Sequence, residues 1–127
     1  MYIRREASDK GLTARITFCE EETDVELCQA FVSVERRNNY IFEQFHNLSR
    51  PIVYFSSFFT PVEHRNKGYG RKMLKYIKEY YKGCIVFLHV AGFGELSDEQ
   101  LVEFYKSEGF KEYESDYPHN PLLAIIL

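Results

Sequence analysis

From Thr60 to Lys72 the sequence reads TPVEHRNKGYGRK, between an apolar run and a segment of helical periodicity. Its cations crowd the start of the predicted helix, where unpaired amides already carry partial positive charge and favour acids. An anion bound there would be stabilised by the amides and by the cations together. Gly68 and Gly70 allow the backbone to approach that anion closely because they have no Cβ. The stretch therefore predicts a turn that binds a diphosphate group.

The segments on both sides of this turn predict a strand and a helix. Ile52–Thr60 (IVYFSSFFT) is an apolar and aromatic run between two prolines, which indicates a strand. The helix is predicted from about Gly70 to Lys82, with a stop at Gly83. Its buried stripe at helical spacing consists of Met73, Leu74, Ile77 and Tyr81.

A second strand and helix follow directly. Cys84–Val90 is almost wholly apolar, as expected of a central strand that is covered on both faces. Ser97 and Gln100 have the spacing of a capping box and predict the start of another helix. That helix is predicted to end at Gly109, a residue type typical of helix C-termini.

The remaining segments complete a sheet. Leu12–Cys19 and Val25–Val34 are predicted as partnering strands, and Tyr113 and Leu122–Leu127 as the closing ones. Arg36–Arg50 fits either a short helix or an aromatic-rich loop. The order of elements predicts an α/β fold, with a mixed sheet in one layer and helices packed on it. The length of 127 residues indicates a single domain.

Composition narrows the class of protein. No apolar run approaches the ~20 residues that span a bilayer, and the polar start of the chain offers no signal-peptide core. The three cysteines, Cys19, Cys28 and Cys84, have no metal-type spacing and are expected to stay reduced. A cytoplasmic protein without a membrane partner is therefore expected.

Charge is distributed unevenly along the chain. The net charge is −3, yet between His64 and Lys82 seven Lys and Arg residues face a single acid, Glu79. A local basic block on an acidic chain indicates a local anionic ligand, whereas nucleic-acid binding would predict a basic domain overall. From charge alone, a solvated helix face explains the same block equally well.

Two motifs point to a family. Arg65-x-x-Gly68-x-Gly70 follows a predicted strand and opens a helix, and it is neither a Walker A loop nor the GxGxxG fingerprint. Further on, Leu101–Phe110 (LVEFYKSEGF) combines an aromatic pair on a helix with a Gly-Phe ending. Over residues 52–113 the two motifs, in this order, resemble the GNAT superfamily of acyl-CoA-dependent N-acyltransferases. The family's usual pair of early helices is shortened or missing here, which favours an open acceptor groove.

The resemblance implies acetyl-CoA (coenzyme A) as the cofactor, bound at the turn. In relatives the oxyanion and pantetheine contacts come largely from backbone amides, which lie here between Phe58 and Val62. Relatives often carry an Asn before the second helix, but Ala91–Ser97 has none, and its two glycines predict a mobile flap over the substrate. The residues expected to bind the cofactor are Thr60, Val62, Arg65, Asn66, Lys67, Gly68, Tyr69, Gly70 and Arg71.

The resemblance also implies catalytic roles. Acyl transfer requires a neutral amine, a stabilised oxyanion and a proton for the departing thiolate. Tyr105 occupies the position of the family's usual proton donor, although a packed aromatic residue is the competing interpretation. His89 matches the position of a base in members that acetylate protein N-termini, although a core His bonded to a carbonyl fits too. Glu63 and His64 are rival bases, and a route through water or without a dedicated base also stays open.

Taken together, these features predict an N-acetyltransferase that moves an acetyl group from acetyl-CoA to a primary amine. As the acceptor, a protein or peptide amine, at a lysine or an N-terminus, is favoured over a small-molecule amine. The alternative is a non-catalytic module on the same fold that binds CoA or a protein partner. Either a monomer or a homodimer is compatible with the sequence.

Overall fold

The computed structural model describes residues 1–8, 10–35, 50–90, 96–114 and 120–127. These residues form one seven-stranded sheet in the order β1-β2-β3-β4-β5-β7-β6, with two α-helices. In chain order the elements are β1 Tyr2–Ala7, β2 Thr13–Cys19, β3 Glu26–Val34, β4 Ile52–Phe59, a short 3₁₀ turn Val62–His64, α1 Tyr69–Tyr80, β5 Ile85–His89, α2 Asp98–Ser107, β6 Lys111–Tyr113 and β7 Leu122–Ile126.

The predicted α/β fold with a mixed sheet is confirmed. β4 and β5 pair in parallel, and the other neighbouring strands in the described sheet pair antiparallel. A parallel pair needs a crossover connection, and α1 supplies it between β4 and β5. None of the described helices is long and apolar enough to cross a bilayer.

The predicted helices form close to their expected bounds. α1 begins one residue earlier than predicted and ends at Tyr80, and Gly83 follows with a left-handed φ of 91°. The capping box of α2 is present, because Ser97 and Gln100 each bond the other's backbone amide. α2 ends at Ser107, and Gly109 two residues later has a φ of 100°.

Strand β1 was not predicted from the sequence. It lies at the edge of the sheet, where Tyr2 pairs with Cys19 and Ala7 with Ala14. Because an edge strand is covered on fewer sides, it carries charged residues and lacks a clear apolar alternation. Residues 8–12, which join β1 to β2, are too few to form the pair of early helices that is usual in the family that the sequence resembles.

The segment Arg36–Arg50, predicted as either a short helix or a loop, lies outside the described residues except for Arg50.

The two faces of the sheet carry separate apolar clusters. On one face, which we call the helix face, α1 and α2 bury Met73, Leu74, Ile77 and Tyr105 against side chains such as Val53, Val86 and Leu88. On the opposite face, the far face, a smaller cluster contains Ile52, Ile85, Phe87, Leu122 and Ala124. β5 is therefore buried on both faces, as its sequence predicts.

Candidate active site

A gap opens between the two central strands. β4 and β5 pair at three positions only, and the last pair is Tyr54 with Phe87, although both strands continue beyond it. Phe55 of β4 pairs with Val32 of β3, and Ser57 pairs with Phe31, the neighbour of Val32. Ser56 therefore has no paired position on β3 and forms a bulge. A bulge bends its strand and increases the local twist. The bend gives a physical reason for β4 to diverge from β5.

A cavity of about 620 Å³ occupies this gap. Its walls include Phe55, Leu88 and Tyr105, whose neighbours belong to the core of the helix face. They also include Ser57, Phe59 and His89, which the strand register places on the far face. The cavity therefore passes between the strands, and side chains from both faces of the sheet reach it.

The start of α1 lies at the rim of this cavity. Gly68 is the N-cap with a left-handed φ of 82°, it makes no side-chain cap bond, and the first turn of α1 contains no acid. Asn66 also has a positive φ, 62°, a conformation that Asn tolerates better than most residues. The amides at this helix start therefore lack the side-chain oxygen that usually caps a helix, which is the arrangement that suits an external anion.

Most of the predicted cofactor residues line the cavity. The wall of the cavity includes Thr60, Arg65, Asn66, Gly68, Tyr69, Gly70 and Arg71. Val62 and Lys67 are exposed and are not part of the wall. Arg65 is oriented by its own turn, since its Nε donates to the carbonyl oxygen of Thr60 at 2.9 Å. The turn thus holds one guanidinium beside the start of the helix.

Arg71 connects the turn to the second helix. Its Nη1 lies 2.5 Å from Oε1 of Glu108, and its guanidinium lies 5.3 Å from the ring centre of Phe104. Lys78 holds the same Glu108, donating to its backbone oxygen at 2.9 Å and to its Oε2 at 3.2 Å. Glu108 follows α2 directly, so this contact fixes the helix that carries Tyr105 relative to α1.

Gly70 has a packing role that the sequence did not reveal. A Cβ at this position would lie 3.1 Å from Cζ of Phe58 and 3.8 Å from Cζ of Phe104. Both rings line the cavity. The glycine is therefore needed for close packing of α1 against these rings, in addition to any approach of a ligand.

Tyr105 lines the cavity and is held in an aromatic environment. The side chain is 6% exposed, and its ring packs edge-on against Phe104 at 5.3 Å and Phe110 at 5.5 Å. Burial, with a smaller contribution from the nearby Cys28 thiol, raises the pKa of Tyr105 to about 12. The phenol therefore stays protonated at physiological pH and can donate a hydrogen bond or a proton.

Cys28, which is close enough to influence Tyr105, is hydrogen-bonded to Thr60. The Thr60 hydroxyl donates to Sγ of Cys28 at 3.4 Å, and Cys28 is fully buried. Burial raises the pKa of the Cys28 thiol, so the thiol stays neutral. A neutral buried thiol is a packing group rather than a nucleophile.

His89 lies on the opposite side of the gap from Tyr105. His89 is half-buried. The centre of its ring lies 6.1 Å from the ring centre of Tyr54 and 6.2 Å from that of Phe87, and both pairs are arranged edge-on. Because side chains alternate along a strand, Leu88 faces the helices while His89 faces away from them. Of the rival bases, His64 lines the cavity, whereas Glu63 is exposed and is not part of the described wall.

The backbone that follows His89 is held by a hydrogen bond from Asn120. Asn120 Nδ2 donates to the backbone oxygen of Val90 at 3.0 Å, and the Val90 amide donates to the oxygen of Pro121 at 2.8 Å. The predicted flap, Ala91–Ser97, lies outside the described residues except for Leu96 and Ser97. Leu96 is exposed and lines the cavity.

The residues that shape the gap were not predicted from the sequence. The bulge at Ser56 had one possible signal, the Ser-Ser pair inside an aromatic strand. Glu108 contacts Arg71 and Lys78, which lie on a different element of the fold, so no local sequence pattern predicts these contacts. The packing of Phe58 against Gly70 likewise depends on the tertiary fold.

Comparison with known proteins identifies the family. A family model described as "Acetyltransferase (GNAT) domain" matches residues 13–112, most of the chain. The chain belongs to the GNAT acetyltransferase family. No curated protein matches this GNAT domain by sequence.

Solved structures of low sequence identity share its fold. NAA60 of Arabidopsis thaliana in complex with acetyl-CoA has a TM-score of 0.69 and 12% identity, over 92% of this chain and 77% of its own. A GNAT-family protein of Bacteroides thetaiotaomicron has a TM-score of 0.62 and 19% identity, over 92% of this chain and 63% of its own. KacTA, solved with DNA, has a TM-score of 0.62 and 15% identity, over 90% and 67%. This GNAT domain therefore spans less than two thirds of the Bacteroides protein.

Proposed function

We propose that this GNAT domain is an acetyl-CoA-dependent N-acetyltransferase that acts on a primary amine, with protein or peptide amines favoured over small molecules. The observation that carries the proposal is the cavity through the sheet. Tyr105 reaches it from the helix face, His89 from the far face, and the start of α1 lies at its rim. Both the family and the geometry of the cavity support acyl transfer between two substrates that enter from opposite sides.

The residues at the rim fit a CoA diphosphate. Gly68 leaves the first amides of α1 without a side-chain cap, and Arg65 and Arg71 add positive charge beside them. The proposed binding surface also includes Thr60, Asn66, Tyr69 and Gly70. Acetyl-CoA bound there would supply the acetyl group as a thioester. Val62 and Lys67 are proposed as peripheral contacts at most, because they lie outside the cavity wall.

The two ionisable side chains suit complementary proton transfers. The amine nitrogen forms a bond to the acetyl carbonyl carbon, and the bond from that carbon to sulfur breaks. His89 would accept the proton that the amine loses, and Tyr105 would donate its hydroxyl proton to the departing sulfur. The raised pKa of Tyr105 keeps that proton in place until the thiolate develops.

The first prediction concerns cofactor binding. Acetyl-CoA at 100 times its dissociation constant should stabilise the fold by about 2.7 kcal/mol, or roughly 10 °C in Tm for a domain of this size. Free adenosine, which lacks the diphosphate, should stabilise it far less. A thermal-shift titration measures both, and equal, negligible shifts would exclude the proposed cofactor site.

Turnover separates the enzyme from the alternative function. Thiol release from acetyl-CoA should depend on an added primary amine, measured across a panel of peptides and small amines. Tight acetyl-CoA binding with no amine-dependent release on any acceptor would instead support a CoA-binding module.

The second prediction concerns His89. Histidine is the side chain that changes its charge between about pH 5 and 8. If His89 is the base, kcat/KM should fall as pH falls, because the protonated ring cannot accept a proton, and His89→Gln should flatten this acidic limb. Rates against pH, with melting temperatures for each variant, measure the effect.

His64→Gln serves as the control, because His64 also lines the cavity and should leave the acidic limb in place. A structural His89 would behave differently, since its replacement would lower Tm without altering the pH profile. An active His89→Gln enzyme with an unaltered limb would assign the base to His64, Glu63 or a water-mediated route.

A further inference from the structure

Two phenylalanines on neighbouring strands are exposed, and Phe59 is part of the cavity wall while Phe31 is not. Phe31 on β3 is 39% exposed and Phe59 at the end of β4 is 40% exposed. Phe31 lies directly opposite Ser57, and Ser57 and Phe59 are two residues apart on the same strand. The two rings are therefore diagonal neighbours on one face of the sheet, within reach of a common ligand.

The strand register places this pair on the side of His89. Ser33 is opposite Tyr54, and Tyr54 is opposite Phe87, so these side chains share the far face. Phe31 precedes Ser33 by two residues, and His89 follows Phe87 by two, which keeps both on that face. Phe59 and His89 also line the same cavity. An acceptor bound at His89 would therefore lie on the same face of the sheet as the phenylalanine pair.

The charges around the cavity disfavour a multiply charged acceptor. Among the described residues of its wall there is no Asp or Glu that could pair with a second ammonium group. Two of the described acids near Phe31 in the sheet, Glu6 and Glu35, already have hydrogen-bond partners. Glu6 receives two bonds from Arg15, at 3.0 and 2.9 Å, and Glu35 at the other end of β3 accepts from Ser33 at 3.3 Å.

We infer that the acceptor is a primary amine with an apolar group next to the nitrogen and no second positive charge, and that Phe31 and Phe59 bind this group. The inference rests on the proposed acetyltransferase function and specifies its substrate class. Apolar area removed from water stabilises the complex, while a second ammonium group would meet no carboxylate among the described residues of the wall. An α-amino group followed by an apolar side chain and an arylalkylamine share this chemistry.

The experiment compares acceptors at fixed acetyl-CoA. Two peptides that differ only in their first residue, Phe or Asp, are tested beside 2-phenylethylamine and spermidine. We expect kcat/KM for the Phe-first peptide to exceed that for the Asp-first peptide and for spermidine by roughly 10-fold or more. Comparison of the Phe-first peptide with 2-phenylethylamine distinguishes a polypeptide from a small-molecule source.

Variants assign the preference to the two rings. Phe31→Ser and Phe59→Ser should each lower the Phe-first to Asp-first ratio of kcat/KM by roughly 10-fold. Ile126→Ser is the matched control, because Ile126 is 44% exposed, lies at the end of β7 and is not part of the cavity wall. It should leave the ratio unchanged. The ratio is measured within one variant, so partial unfolding cancels from it.

The outcomes separate this inference from the proposed function. A preference for spermidine or the Asp-first peptide, with measurable turnover, would overturn the inference and leave the acetyltransferase assignment intact. A Phe preference that survives both Phe→Ser substitutions would overturn the role of the two rings. Acetyl-CoA binding without turnover on any of the four acceptors or on a wider amine panel would overturn the proposed function, and this inference with it.

Discussion

Tyr105→Phe should lower the rate of acetyl transfer by roughly 10²–10⁴-fold, the usual contribution of a general acid. The substitution removes the hydroxyl and keeps the ring, so the packing against Phe104 and Phe110 persists. Affinity for acetyl-CoA should change little, because the loss falls on kcat. Steady-state rates and calorimetric titration of the variant measure the two quantities separately.

The pKa of Tyr105 defines a second signature. Burial raises this pKa to about 12, so the phenol stays protonated through the neutral and mildly alkaline range. The rate should therefore show no alkaline loss from Tyr105 until the pH approaches that value. Any alkaline limb at lower pH belongs to another group and should persist in Tyr105→Phe.

Tyr76→Phe is the matched control for this substitution. Tyr76 is a partly buried tyrosine of α1 that packs edge-on against Phe18 and does not line the cavity. Its replacement removes an equivalent hydroxyl and should leave turnover unchanged. If Tyr105→Phe turned over as fast as this control, the proton donor would have to be a different group.

Gly68→Val should weaken acetyl-CoA binding by about 100-fold, equivalent to about 2.8 kcal/mol. Gly68 has a left-handed φ of 82°, which a branched residue adopts only with strain, so valine would change the path of the backbone at the helix start. The amides offered to the diphosphate would then be displaced. A Cβ added at Gly68 would meet no neighbouring atom within 4 Å, so the effect is one of backbone conformation and not of a clash.

Gly83→Val isolates that effect from a general loss of stability. Gly83 has a similar φ of 91°, equally open surroundings, and a position after α1 that is not part of the cavity wall. Both variants should lose about 1–2 kcal/mol of unfolding free energy through left-handed strain. Only Gly68→Val should lose acetyl-CoA affinity. Calorimetry that gave full affinity for it would place the diphosphate elsewhere.

Gly70→Val should also weaken binding, for a different reason. Its Cβ would press on the Phe58 ring at 3.1 Å, and the larger valine would move the rings that wall the cavity. Arg65→Ala should have a milder effect, because it removes one charge-assisted contact and leaves the backbone intact. The rank order of the three dissociation constants tests the placement of the site.

Local sequence was sufficient for the elements around the turn. The apolar stripe of α1 and the capping box of α2 each involve residues within a few positions of one another. Such patterns can be read directly, and both helices form close to their predicted bounds. Strand β1 was not predicted because its charged sequence lacks the apolar pattern of a strand. It is stabilised by its pairing with β2, which a local pattern does not show.

The sequence by itself determined the family, the cationic turn before α1 and the candidate residues Tyr105 and His89. Only the tertiary structure decided how these are arranged. The bulge at Ser56 separates β4 from β5, and strand alternation places His89 on the far face while α2 brings Tyr105 to the helix face. These relations depend on register between distant segments, and a one-residue shift would move a side chain to the other face of the sheet.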